Sequence, residues 1–322
     1  MDREIPGLKT FEDTEKNLIE SKNFQTHRMS GKRVADLLEI RKILRLQNSQ
    51  VLIISHSLRS TVLFALARVG LRKEIVINST IHQLPSLSKF VQRMKRFFYA
   101  QFGDHIYAYS DAVRKDWLNR YSNLGKPISL LRNGIYIDRL NLFERKAEAK
   151  PPRLIYLGRN TSWKGIHIYF KLFNLPIFSD YEGLMMIAKS SSEIEATALE
   201  HGIGRIKIVE GANLSNFKAR ENDLHVYPSQ YGDTAKYTES ISLNCLEMAL
   251  LGIPSLVTPS NEDTWPELIN AGVFIAADWK NIEEKQDAIV NKISNIQEIE
   301  KADVIQLISI SNNVDKHLDS LI

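Results

Sequence analysis

From about residue 50 onward, short apolar runs alternate with stretches whose apolar residues recur every three or four positions, the pattern of parallel βαβ units. In the first half the pattern predicts strands at Val51–Ser55, Glu74–Asn78, His105–Tyr109 and Ile128–Leu131. Helices are predicted between them near 59–70, 87–101 and 111–122. A break follows. Asn133-Gly134 is a turn dipeptide, residues 139–150 are polar, and Pro151-Pro152 is stiff, which places a domain boundary there. The rhythm then restarts with predicted strands at Arg153–Leu157, Gly183–Ala188, Arg205–Val209, Asp223–Tyr227, Pro254–Val257 and Val273–Ile275. Predicted helices lie near 164–173, 191–202, 213–221, 239–251, 263–271 and 281–298.

The expected fold class is α/β, two doubly wound Rossmann-like domains facing a cleft. Residues 1–150 form a reduced, basic first domain. Residues 151–322 form the second, with carboxyl-terminal helices that pack back on the first. In such sheets ligands sit beyond the carboxyl ends of the strands, which directs attention to the turn at Gly158 and the loop after Tyr227. The opening 48 residues do not share the rhythm. Their clearest element is a helix over 32–47 with Val34, Leu37, Leu38, Ile40, Ile43 and Leu44 expected inward, and no strand with a Gly-rich turn precedes it.

Charge changes this picture more than composition does. The net charge of +4 conceals 27 Lys and Arg against 15 Asp and Glu in residues 1–150, leaving 15 against 23 in the remainder. Between residues 41 and 100, eleven cations face only Glu74. Such a face seeks an anionic surface or substrate. Nucleic acid is disfavoured, because there is no zinc-ligand spacing, aromatic-rich strand pair or recognition helix, and an anionic membrane surface or lipid-linked acceptor is the preferred partner. One cysteine, Cys245, and no run approaching eighteen apolar residues predict a cytoplasmic protein, and the basic first domain would make it peripheral on the inner face of the membrane.

Glu239 and Glu247 stand eight residues apart in a segment that reads as an amphipathic helix. That spacing gives about 80° of rotation and about 12 Å of rise, enough to touch two ends of one extended ligand. Alone, the pair reads as a first-turn carboxylate and a solvated residue. Upstream, Leu154-Ile-Tyr-Leu-Gly-Arg-Asn-Thr-Ser-Trp-Lys-Gly165 supplies a strand, a Gly turn and two cations. Gly158 and Gly165 would let backbone approach a ligand, and Arg159 and Lys164 could neutralise a departing diphosphate, although a surface turn with two solvated cations explains the Gly-Arg fragment alone about as well. No Asp-x-Asp, His-x-x-x-His or Cys cluster occurs, so a metal-bridged diphosphate is disfavoured and no cofactor is expected. His82 and His56 follow predicted strand ends and could bond a sugar hydroxyl or move a proton, although packing or exposure is the commoner fate of a histidine. Ser110, Asn133 and Gly134 also sit at strand ends, where capping and turn formation explain them nearly as well.

In order, Tyr107-Ala-Tyr-Ser-Asp-Ala-Val-Arg114, Asn133-Gly-Ile135, Tyr156-Leu-Gly-Arg159 with Lys164-Gly165, Val226-Tyr-Pro-Ser229, the Glu239–Glu247 block, Gly252-Ile-Pro254 and Pro266-Glu-Leu-Ile269 resemble the retaining GT-B glycosyltransferases of group 1, over roughly two thirds of the chain. The resemblance implies transfer of a sugar from a UDP- or GDP-linked donor with retained anomeric configuration and no obligatory metal. It implies that Arg159 and Lys164 bind the diphosphate, Glu239 the donor sugar and Glu247 the ribose diol, with Gly158 and Ser242 lining the donor site and His82 near the reacting sugar. The chain departs from the pattern in three places. Ser242 stands where the family has Gly, a long loop separates Ser229 from Glu239, and the opening strand with its Gly-rich turn is not recognisable.

The expected function is therefore a hexosyltransferase acting on a glycan or lipid-linked acceptor in cell-surface polysaccharide synthesis. Two alternatives stand beside it. One is a nucleotide-sugar epimerase of the same architecture, and the other is a non-catalytic nucleotide-sugar-binding partner of a glycan assembly complex.

Overall fold

In a computed structural model of the chain the described residues are 33–47, 50–55, 57–71, 74–81, 94, 97–99, 101–120, 126–132, 150–159, 164–187, 194, 196, 204–210, 214, 217–220, 222–229, 242–258, 265–294 and 301–308. They form two parallel sheets.

The first sheet has four strands in sequence order, β1 (Val51–Ser55), β2 (Ile75–Ile81), β3 (His105–Ala108) and β4 (Ile128–Leu130). Helices α1 (Arg33–Leu46), α2 (Leu58–Arg68) and α3 (Asp111–Arg120) accompany it. Ile40 and Leu44 of α1 pack with Ala65 and Ala67 of α2 onto Ile53, Ile75 and Ile77. Val113 and Trp117 of α3 cover Ile81, Ile106 and Ile128. Each isoleucine, leucine or valine so buried contributes about 1.5–3 kcal/mol over its exposed state.

The second sheet has six parallel strands: β5 (Arg153–Gly158), β6 (Glu182–Ile187), β7 (Ile206–Glu210), β8 (Leu224–Tyr227), β9 (Ser255–Val257) and β10 (Phe274–Ala276), in the order β10-β9-β8-β5-β6-β7. Alternate residues feed two apolar layers, as a sheet buried on both faces requires. On one face Leu154, Tyr156, Met185 and Val226 meet α4 (Ile166–Phe173) and, through Ile289, α7 (Gln286–Ser294). On the other, Ile155, Leu184, Met186, Tyr227 and Val257 meet α5 (Leu243–Leu250), α6 (Pro266–Asn270) and α8 (Lys301–Ile308). At the amino ends, buried Asp223 accepts from the backbone N–H of Arg153 at 2.9 Å and of Arg220 at 2.8 Å, and pairs with the Arg153 guanidinium, fastening β5 to β8.

Several expectations need correction. Strand β2 runs three residues beyond Asn78, because Ser79 and Thr80 are polar yet buried, each satisfied through its hydroxyl. The helix expected over 213–221 is absent at residues 217–220, whose backbone instead serves Asp223 and Arg153. Val34 and Leu38 face outward, 71% and 63% exposed, while Ile40 and Leu44 take the inward face. Helix α5 starts at Leu243 and not near Glu239, so the helical phase expected between Glu239 and Glu247 does not hold. The expected helices over 87–101 and 191–202 fall mostly outside the described residues. The described carboxyl-terminal helix α8 packs through Val304 and Ile308 onto the layer of Cys245 and Leu246 in α5. Between the two sheets, Arg132, just after β4, reaches Glu267 of α6 at 3.1 and 3.0 Å and lies over the Trp265 ring.

Candidate functional site

From β5 the chain steps outward to β6 and β7, then returns to place β8, β9 and β10 on β5's other side. The order therefore reverses between β5 and β8, and the carboxyl ends of these two strands, at Gly158 and Tyr227, form the crevice where doubly wound sheets take ligands. Of the predicted donor-site residues, Gly158 ends β5, Arg159 follows it directly and Lys164 stands just before α4. Ser242 and Glu247 sit at the start and in the body of α5, the helix that follows β8.

Locally, the turn after β5 is held from several sides. Tyr156, buried in β5, donates its hydroxyl to the Arg159 carbonyl at 3.0 Å. A Cβ on Gly158 would stand 3.2 Å from that same hydroxyl, so the glycine makes room for Tyr156. Gly165 has φ 71 at the amino cap of α4, and a Cβ there would stand 2.1 Å from the Pro228 carbonyl oxygen. Both glycines were expected to admit a ligand; the contacts that require them are with the protein's own chain. Lys164 then has little freedom. Its ammonium donates to the Tyr227 hydroxyl at 3.2 Å and lies 5.1 Å from the centre of that ring. Arg159 is exposed and, among the described residues, its guanidinium makes no ion pair.

Across the reversal point, Ser242 caps α5 by accepting from the Asn244 N–H at 3.1 Å. Its φ of −73 is open to any residue, so the backbone here does not require glycine. Asn244 donates its side-chain amide to the Leu157 carbonyl at 3.0 Å, tying the first turn of α5 to the end of β5. Glu247 lies three residues further on, on the same helix face, and is half-buried. The amino end of α5 and the start of α4 thus both adjoin the crevice, and unsatisfied N–H groups at such ends favour anions.

Beneath this layer, His225 of β8 is fully buried and shares a 2.9 Å hydrogen bond through Nδ1 with the Ser255 hydroxyl. Its Nε2 has no partner among the described residues. Burial pushes it down to about 3, which keeps it neutral, and its ring stacks on Tyr227. Ser229, after β8, gives its carbonyl to Thr258 at 2.9 Å, and Thr258 in turn accepts from Trp279 at 3.1 Å.

The structure brings Gly158, Arg159, Lys164, Ser242 and Glu247 to one end of one sheet. Ser110 is buried at the end of β3, where its hydroxyl accepts from the Val113 N–H at 3.2 Å, so it caps α3. Glu239, His82, His56, Asn133 and Gly134 lie outside the described residues. Sequence reasoning missed Asn244, Tyr227 and Tyr156. The signal for Asn244 was a polar residue in the first turn of a mostly apolar helix, three positions before Glu247. Among the described residues no group of three or more His, Cys, Asp or Glu could hold a metal ion, and no helix is long and apolar enough to cross a membrane.

No protein-family model matches the sequence, and no curated protein matches it. Solved structures do resemble it. HepE of Anabaena, solved with UDP, is 16% identical with a TM-score of 0.66, over 95% of this chain and 88% of its own. A glycosyltransferase from Rickettsia africae is 16% identical with a TM-score of 0.64, over 94% and 86%. The lipopolysaccharide outer core galactosyltransferase WaaB is 14% identical with a TM-score of 0.62, over 90% and 80%. At these identities the likeness establishes the fold, and with the two parallel sheets it is GT-B.

Proposed function

We propose that this chain is a retaining glycosyltransferase that moves a hexose from a UDP-linked donor to a glycan or lipid-linked acceptor in cell-surface polysaccharide synthesis. The observation that carries the reading is the convergence of Arg159, Lys164 and the amino end of α5 at the reversal point between β5 and β8. HepE, solved with UDP and with UDP-glucose, supports a uridine diphosphate donor, and WaaB, a galactosyltransferase of the lipopolysaccharide outer core, supports a hexose and a surface-glycan acceptor.

In this reading the bond from the donor's anomeric carbon to the β-phosphate oxygen breaks. Arg159 and Lys164 neutralise the charge that grows on the leaving diphosphate, each contributing on the order of 3 kcal/mol to lowering the barrier. The acceptor hydroxyl attacks the face the diphosphate leaves, and its proton passes to the departing phosphate oxygen. Glu247 receives the ribose diol, Glu239 the donor sugar hydroxyls, and His82 stands near the reacting sugar. With no metal-ligand cluster in the sequence motifs, the reaction is proposed to run with a chelator present.

The test is turnover of UDP-glucose and UDP-galactose, compared with GDP-, ADP- and CDP-sugars, with chelator present. Slow UDP release from one donor, reduced about 100-fold in Arg159→Ala, is expected, with an α-linked product from an α-linked donor by NMR. Release from no donor, or an inverted product, would overturn the proposal.

A further inference from the structure

Helix α1 buries Ile40, Leu44 and Asp36 against the first sheet, yet its opposite side is not the polar surface this leaves room for. Val34, Leu38 and Leu46 are 71%, 63% and 69% exposed, and Lys42 and Arg45 are exposed among them. At 100° per residue these five positions share an arc of about 120°. A second element extends it. The Arg41 guanidinium donates to the carbonyls of Ala67 and Val69 at 3.0 and 2.6 Å, so the end of α2 lies against the middle of α1. There Leu66 is 45% and Val69 63% exposed.

We infer that the outer side of α1, together with the end of α2, is the surface by which this protein lies on an anionic lipid bilayer, with Val34, Leu38, Leu46 and Val69 entering the headgroup boundary and Lys42 and Arg45 meeting the lipid charges. Aliphatic side chains interleaved with cations on one helix side are what an interfacial helix requires. A soluble partner of ordinary surface would leave the strongly basic balance of residues 1–150 unmatched, whereas an anionic leaflet matches it and holds each nearby cation by about 1 kcal/mol. The inference deepens the reading of a lipid-linked or surface-glycan acceptor, since it brings the first domain to where such acceptors are held, but its observation is independent of donor chemistry.

The test is co-sedimentation of the full chain with phosphatidylglycerol-containing vesicles, compared with phosphatidylcholine vesicles, in the absence of any nucleotide sugar. Binding to the anionic vesicles alone is expected. It should fall about tenfold in Leu38→Ser with Val34→Ser, fall similarly in Lys42→Glu with Arg45→Glu, and weaken as salt is raised. Because all four side chains are exposed, the variants should keep the thermal midpoint of the parent, which separates lost docking from lost folding. Three results would overturn the inference: no vesicle binding; salt-sensitive binding indifferent to Leu38 and Val34; or concentration-dependent dimerisation that Leu38→Ser abolishes without any vesicle binding. UDP release by the same preparations tells the two readings apart, since docking without turnover sinks the transferase reading and leaves the surface standing.

Discussion

Lys164 has its place because Gly165 can take a conformation that other residues resist. With φ 71 and the Pro228 carbonyl 2.1 Å from where a Cβ would stand, Gly165→Ala meets both backbone strain and a clash against main chain. The expected cost is more than about 2 kcal/mol, read as a lowered midpoint in urea with unchanged slope. An unchanged midpoint would show that β8 and α4 can separate freely. His225 gives a second prediction at this scale. Its folded value of about 3 lies below the ordinary 6.5, so the unfolded chain binds the proton first as pH falls. The stability this neutral imidazole represents is fully present above about pH 6.5 and is lost on acidification toward pH 3, by at most about 1.4 kcal/mol per pH unit. His225→Gln should flatten the dependence of the unfolding midpoint between pH 6.5 and 4; a slope equal to the parent's would mean that the histidine does not titrate on unfolding.

At the scale of elements, α5 illustrates what the sequence could and could not disclose. Its apolar periodicity and its Gly252 stop were legible, and both are present, with Gly252 at φ 71. Its start was not, because Glu239 mimics a first-turn carboxylate while the cap that begins the helix is Ser242, a choice made by a hydrogen bond from the Asn244 N–H that periodicity does not encode. Likewise β1 matched residue for residue, whereas β2 was read short, since the buried hydroxyls of Ser79 and Thr80 look like a turn until their partners are known. The two cations after β5, Arg159 and Lys164, were legible as a strand, turn and charge pattern. Their supports were not, because Tyr227 and Asn244 act through contacts with residues distant in sequence, and Tyr156 through a side-chain bond across the turn that periodicity does not encode. These contacts have measurable consequences. Ser242→Ala is expected to cost about 1 kcal/mol and Ser242→Gly only a few tenths, by thermal unfolding. Asn244→Ala should cost about 1–2 kcal/mol by leaving the Leu157 carbonyl unmet and should also weaken UDP binding, which Ser242→Gly should not. Equal effects of the two on UDP binding would remove Asn244 from the site.

On the scale of the whole molecule, the two sheets meet through Arg132, which pairs with Glu267 and covers the Trp265 ring from the far side of a long connection. Trp265 is buried while Glu267 is largely exposed, so the ion pair is screened by solvent. A double-mutant cycle of Arg132→Ala and Glu267→Ala is expected to give a coupling of about 0.5 kcal/mol that fades in high salt. Zero coupling at low salt would mean that the contact does not join the two units in solution. The diphosphate site proposed on the second sheet can be tested without knowing the acceptor. The decisive measurement is the thermal shift of the full chain by UDP with chelator present, repeated in Arg159→Ala and Lys164→Ala. At one hundred times the dissociation constant UDP should stabilise the parent by about 2.7 kcal/mol, a rise of several degrees that both variants lose although their own midpoints stay near the parent's. A parent unmoved by UDP, or variants that respond as fully as the parent, would contradict a nucleotide diphosphate site at the ends of β5 and β8.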